Sequence, residues 1–89
     1  MPPLANCEKL IARARASAAN LRFAEALTLA ECLGFEHART HGSHHFFKRA
    51  GYFQTVNLQP DKRDPSKAKK RQVEEMLRIY KEIGLEEDA

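Results

Sequence analysis

The chain has little cysteine and no long apolar run, and each shortage narrows what it can be. Only two cysteines are present. Cys7 and Cys32 stand in no Cys-x-x-Cys or other metal-type spacing, so both read as free thiols in a reducing compartment. Cys32, among Leu29, Ala30 and Leu33, reads as a small buried thiol. No stretch approaches the about 18 apolar residues that a membrane helix needs. The N-terminus lacks a basic flank followed by an apolar segment, so the expectation is a soluble, cytoplasmic protein with no membrane partner. Internal repeats and low-complexity segments are also missing. With 89 residues there is no room for a deep substrate cavity, because a domain this small buries only about 60–65% of its unfolded surface. A shallow groove or sheet face follows, which suits a polymer or protein partner better than a small metabolite.

What the chain does have is uneven positive charge. Fifteen Lys and Arg against twelve Asp and Glu give +3, and Glu86, Glu87 and Asp88 hold three of the acids, so the rest carries +6. From Asp61 to Arg71 six cations (Lys62, Arg63, Lys67, Lys69, Lys70, Arg71) meet two acids. This run leads into a helix N-terminus, where the macrodipole disfavours each cation by about 0.3–1 kcal/mol. A bound phosphate explains such a cluster, and a solvated, solubilising face is the plainer alternative. Lys48 and Arg49 extend the same surface or act as edge-strand gatekeepers.

Hydrophobic spacing gives the element order. Asn6 to Ala18 reads as a short helix with Leu10, Ile11 and Ala14 on one face and Asn6 as its cap. A second helix is expected from Leu21 to Leu33, capped by Asn20 and stopped by Gly34, with Phe23, Leu27, Ala30 and Leu33 buried. From Phe35 the period becomes two. Phe35 to Thr40 and Ser43 to Lys48 read as strands around a type I′ turn at His41-Gly42. Arg49-Ala50-Gly51 turns the chain into a third strand, Tyr52 to Leu58. Pro60 ends that strand, and a last helix is expected from Ser66 to Ile83, with Val73, Met76, Leu77, Tyr80 and Ile83 apolar and Gly84 as cap.

The fold class is therefore α+β: a three-stranded antiparallel sheet with two helices on one face, in the order αβββα, plus an extra N-terminal helix. Double-stranded-RNA-binding domains share that order. Residues 1–19 are read as a helical extension, 20–85 as the αβββα domain and 86–89 as an acidic tail.

Four histidines, His37, His41, His44 and His45, fall within nine residues. Imidazole exchanges protons near neutral pH without a cofactor. A zinc site is not expected, because adjacent strand residues such as His44 and His45 point to opposite faces and no acid or cysteine completes a tetrahedral set. One of the pair is expected to be structural.

Gly42-Ser43-His44-His45-Phe46-Phe47, then Asn57-Leu58-Gln59-Pro60, then Lys67-Ala68-Lys69 followed by Gln72-Val73, resemble the HicA-type toxins, also called YcfA-like proteins, over roughly residues 20–85. The resemblance implies a metal-independent mRNA interferase with a double-stranded-RNA-binding-like fold, held inactive by a HicB-type antitoxin. It implies that His44, directly after Gly42-Ser43, is the catalytic residue and His45 a neighbour. Gly42, Ser43, His45, Lys48, Arg49, Lys67, Lys69, Lys70 and Arg71 are the expected RNA contacts, with no metal and no cofactor. Two departures stand out: the N-terminal helix lies outside the family pattern, and Lys70-Arg71 replaces the Pro-Tyr common after Lys-Ala-Lys, which would let the last helix start earlier.

The chemistry follows from the substrate. RNA carries its own nucleophile, so a base that removes the 2′-OH proton drives attack of that oxygen on the adjacent phosphorus. The P–O5′ bond breaks, a 2′,3′-cyclic phosphate is left, and the departing 5′-oxygen takes a proton from a general acid for which His45, a lysine or water are the candidates. Two other classes stay open. One is a non-catalytic RNA-binding module, and the other is a protein-interaction domain using Phe46, Phe47, Tyr52 and Phe53, residues that sheet cores also use.

Overall fold

The computed structural model describes residues 4–49 and 52–82. Helix α1 spans Leu4–Ala16 and a single 3₁₀ turn Ala18–Asn20 follows. Then come α2 (Phe23–Cys32), strands β1 (Glu36–His41), β2 (His44–Arg49) and β3 (Tyr52–Leu58), and α3 (Lys70–Glu82). The sheet is antiparallel in the order β1-β2-β3, so the α+β class and the three-stranded meander are as the hydrophobic period indicates. The Ala50-Gly51 turn, Ile83, the Gly84 cap, Leu85 and the tail 86–89 lie outside the described residues, as do the side chains of Tyr52 and Phe53.

Both helix starts differ from expectation. Asn6 lies inside α1, and Asn20 sits in the 3₁₀ turn with its Nδ2 donating to Ser17 Oγ at 2.6 Å, so neither caps the helix assigned to it. The α2 start is held by Glu25, whose Oε1 accepts the Arg22 N–H at 3.0 Å. Its end is as read: Gly34 has φ 89°, Gly34 N–H donates to Glu31 O and Phe35 N–H to Ala30 O, which is the Schellman pattern. A Cβ at Gly34 would overlap the Arg49 guanidinium.

The last helix begins at Lys70, not Ser66. Side chains fold the segment before it into turns: Asp61 Oδ1 accepts from Arg63 N and Asp64 N, and Asp64 Oδ1 from Ser66 N and Oγ. Asx and Ser turns compete with helix for these amides. Hydrogen bonding to Ser66 holds the Asp64 carboxyl below its usual range. Lys67-Ala68 is then extended, with Ala68 N–H donating to Leu21 O and Lys67 O accepting from Asp61 N–H.

The hairpin turn is also displaced by one residue. His41 pairs with His44, which makes Gly42-Ser43 the turn. Gly42 has φ 61°, and no described non-glycine residue has positive φ. Positive φ at the first turn position alone is the type II′ pattern, so the type I′ expectation is corrected.

One core unites the elements. Leu21, Leu29, Leu33, Phe35, Phe47, Val56, Leu58, Val73, Met76 and Ile79 are buried together, with Leu10, Ala14 and Ala18 from the N-terminal segment in the same cluster. Helices α2 and α3 cover one face of the sheet, while α1 packs on both helices. The free-thiol reading of the cysteines is overturned: Cys7 of α1 and Cys32 of α2 form a disulfide with Cα atoms 5.4 Å apart. The partners are 25 residues apart in sequence, and their approach depends on how α1 docks on α2, which no local spacing reveals. Arg13 also pairs with Glu25 across the same two helices and lowers the Glu25 carboxyl from its usual range. No helix among the described residues is long and apolar enough to cross a membrane.

Candidate nucleic-acid interface and the His44 network

Strand alternation separates the histidines. His45 shares the helix-facing side with buried Phe47, where its ring meets Phe23 edge-on at 5.2 Å and its Nδ1 lies 3.4 Å from Thr40 Oγ1. Thr40 Oγ1 is in turn 2.7 Å from His37 Nε2. His44 faces the other side of the sheet, beside the end of β3 and the start of α3.

There, amides surround the His44 ring. Nε2 is 2.8 Å from Gln59 Nε2, and Nδ1 is 3.2 Å from Asn57 Nδ2. Gln59 Oε1 accepts from Lys69 Nζ at 3.1 Å and from Gln72 Nε2 at 2.9 Å, which fixes the Gln59 NH₂ toward the imidazole. A neutral imidazole has one donor and one acceptor. Nε2 is therefore the acceptor, and Nδ1 carries the proton. Asn57 Oδ1 is the buried side-chain oxygen without a partner among the described residues. Exchanging the two ends of that amide, which are alike in shape, gives Oδ1 the Nδ1 proton and satisfies both groups.

The backbone supports this arrangement. Gln59 N–H donates to Gln72 Oε1 at 2.7 Å, and Lys69 N–H donates to Gln59 O at 3.3 Å. Gln72 thus grips Gln59 at both its backbone and its side chain, and α3 is tied to β3 at the residue that touches His44.

The expected cations divide into groups. Lys69, Lys70 and Arg71 line one shallow cleft of about 420 Å³ with Lys62, Arg63 and Asp61. Through Lys69 the cleft abuts the His44 network. Gly42 and Ser43 form the exposed turn preceding His44, and Lys48 is exposed two residues beyond Phe46. Lys67 is half-buried, its backbone bridged to Arg22. Arg49 lies at the opposite end of β2, about 17 Å along the strand, where its Nη1 donates to Leu33 O at 2.9 Å and caps the C-terminus of α2. Sequence reasoning assigned no role to Asn57, Gln59 or Gln72. Their signal is the motif itself: Asn57-Leu58-Gln59-Pro60 and Gln72-Val73 carry the family resemblance, whereas period alone shows only Asn57 and Gln59 alternating around buried Leu58.

Among the described residues no three His, Cys, Asp or Glu side chains are grouped to hold a metal ion. The arrangement offers an imidazole whose Nε2 faces an amide donor, with a cluster of cations beside it. No family model, curated protein or solved structure matches the chain, so the HicA resemblance rests on the motif residues alone.

Proposed function

We propose that this chain is a metal-independent endoribonuclease that cleaves mRNA with His44 as general base, a toxin of the HicA type restrained by a HicB-type antitoxin. The observation that carries the reading is the state of His44: Nε2 is an acceptor with a donor 2.8 Å away. The Gln59 amide occupies the position that a substrate 2′-OH takes when it hands its proton to Nε2. With the two ends of its amide exchanged, Asn57 presents Oδ1 to Nδ1 and keeps the ring in the tautomer whose Nε2 accepts. Lys69, 3.1 Å from Gln59 Oε1 and on the rim of the basic cleft, supplies positive charge for the phosphate as its negative charge grows. The αβββα order is in keeping with a double-stranded-RNA-binding-like fold. mRNA as substrate puts the enzyme in the cytoplasm.

One observation favours a second reading, a non-catalytic RNA-binding module: both His44 nitrogens are already partnered within the protein. The two readings part in a simple comparison. Wild type and His44→Gln, both shown to be folded, are incubated in EDTA with a single-stranded RNA and the matching DNA. The nuclease reading expects RNA cleavage by wild type alone, with DNA intact. RNA binding without cleavage would favour the module.

A further inference from the structure

The side of the sheet away from the helices carries an arrangement that the His44 chemistry does not use. Residues 37 and 39 of β1 pair with Phe47 and Phe46, so Ala38 is an extra residue, a β-bulge. A bulge re-aims the side chains beyond it. Without it Arg39 would share the helix-facing side with His37; with it, Arg39 joins Phe46 on the open side. Its Cζ lies 4.7 Å from the Phe46 ring centroid. The His44 and Phe46 rings are parallel to within 13°, with centroids 6.1 Å apart. Phe46 is half-buried, with part of its surface open to solvent on a face that no helix covers.

We propose that this face is a stacking platform that seats an unpaired nucleobase of single-stranded RNA on Phe46, beside His44; the proposal rests on the RNA reading above. The Arg39 guanidinium lies over the Phe46 ring and gives way to the base, moving to the incoming strand's phosphate, while the parallel His44 ring extends the surface for flat π systems. An apolar protein segment would need apolar neighbours, yet those of Phe46 on this face are Arg39, His44, Lys48 and Asn57, with Glu36 opposite Lys48 at the far end. A base on Phe46 brings its own ribose to His44, 6.1 Å away, with Lys69 beyond it for the phosphate. The base must be unstacked to lie there, which selects single strands over duplexes.

The test uses a single-stranded DNA oligonucleotide containing 2-aminopurine, whose fluorescence falls on stacking and which lacks the 2′-OH that cleavage needs. Wild type should quench it, and a duplex of the same sequence should not be quenched. Phe46→Leu, which keeps apolar bulk, should lose the quench and bind about 5- to 100-fold more weakly; Phe46→Tyr should retain both. Arg39→Gln, on an exposed strand, should weaken binding without unfolding and carries the test if Phe46→Leu is unstable. Equal quenching by Phe46→Leu, or equal quenching of the duplex, would overturn the platform. Quenching with no RNA cleavage in EDTA would sink the nuclease reading alone; cleavage with no quenching would sink the platform alone.

Discussion

Replacing Gln72 with methionine isolates the clamp that holds Gln59 against His44. Methionine keeps the length and the apolar stem of the side chain but can neither accept the Gln59 N–H at 2.7 Å nor donate to Gln59 Oε1 at 2.9 Å. Each hydrogen bond contributes about 0.5–1.5 kcal/mol net, and a buried N–H left unpaired costs about 1–3 kcal/mol. Gln59 is half-buried, so water recovers part of that cost. The expected loss is about 2 kcal/mol. For a domain of this size each kcal/mol moves the midpoint by about 4–8 °C, so Tm should fall by roughly 8–16 °C. Circular dichroism melts measure this. Imidazole ¹⁵N shifts add a second readout: wild-type His44 should carry its proton on Nδ1, and Gln72→Met should raise the share of the other tautomer, because Lys69 alone then orients the Gln59 amide. A Tm within about 2 °C of wild type, with an unchanged tautomer, would refute the clamp.

Arg49→Met should cost about 1–2 kcal/mol by urea denaturation, since it uncaps α2, and should leave RNA affinity unchanged because that guanidinium is bound to Leu33 O; Lys70→Ala, in the cleft, should do the reverse. Reduction of the Cys7–Cys32 bridge, or Cys7→Ala, should lower stability by about 3.5 kcal/mol on the chain-entropy estimate for partners 25 residues apart, measured by denaturant midpoint with and without reductant. Cytosolic disulfides are uncommon, and the same difference gauges how firmly α1 is held once the bridge is reduced. Glu25 is more acidic folded than its ordinary value of 4.5, chiefly through its hydrogen bond from Arg13. The stability it contributes is complete above that value and is lost as pH falls through the lowered folded one. Arg13→Ala should therefore shrink the drop in urea midpoint between neutral pH and about pH 3.

Much of the architecture can be read from residue period. The switch from helical spacing to alternation after Phe35, and Gly34 as the stop, locate α2 and the sheet. The spacing of Val73 and Met76 marks α3, although buried Ile79 is missed in favour of its neighbours. What escapes the sequence depends on contacts between distant segments or on competing local bonds. The Ala38 bulge depends on pairing with β2. The Asp61 and Asp64 turns win amides from a helix that propensity alone would start earlier. The disulfide depends on helix docking. At the site, alternation separates His44 from His45, but the amides that set the state of His44 come from two segments, Asn57 and Gln59 at the end of β3 and Gln72 of α3, and are locked together only when α3 docks beside β3.

The most direct test of the His44 chemistry is mass spectrometry of the products when a single-stranded RNA is incubated with wild type and with His44→Ala in EDTA. The account predicts 5′ fragments ending in a 2′,3′-cyclic phosphate from wild type, formed about 10²- to 10⁴-fold more slowly by His44→Ala. Equal rates for the two proteins, or products carrying a 5′-phosphate and a free 3′-OH, would contradict it.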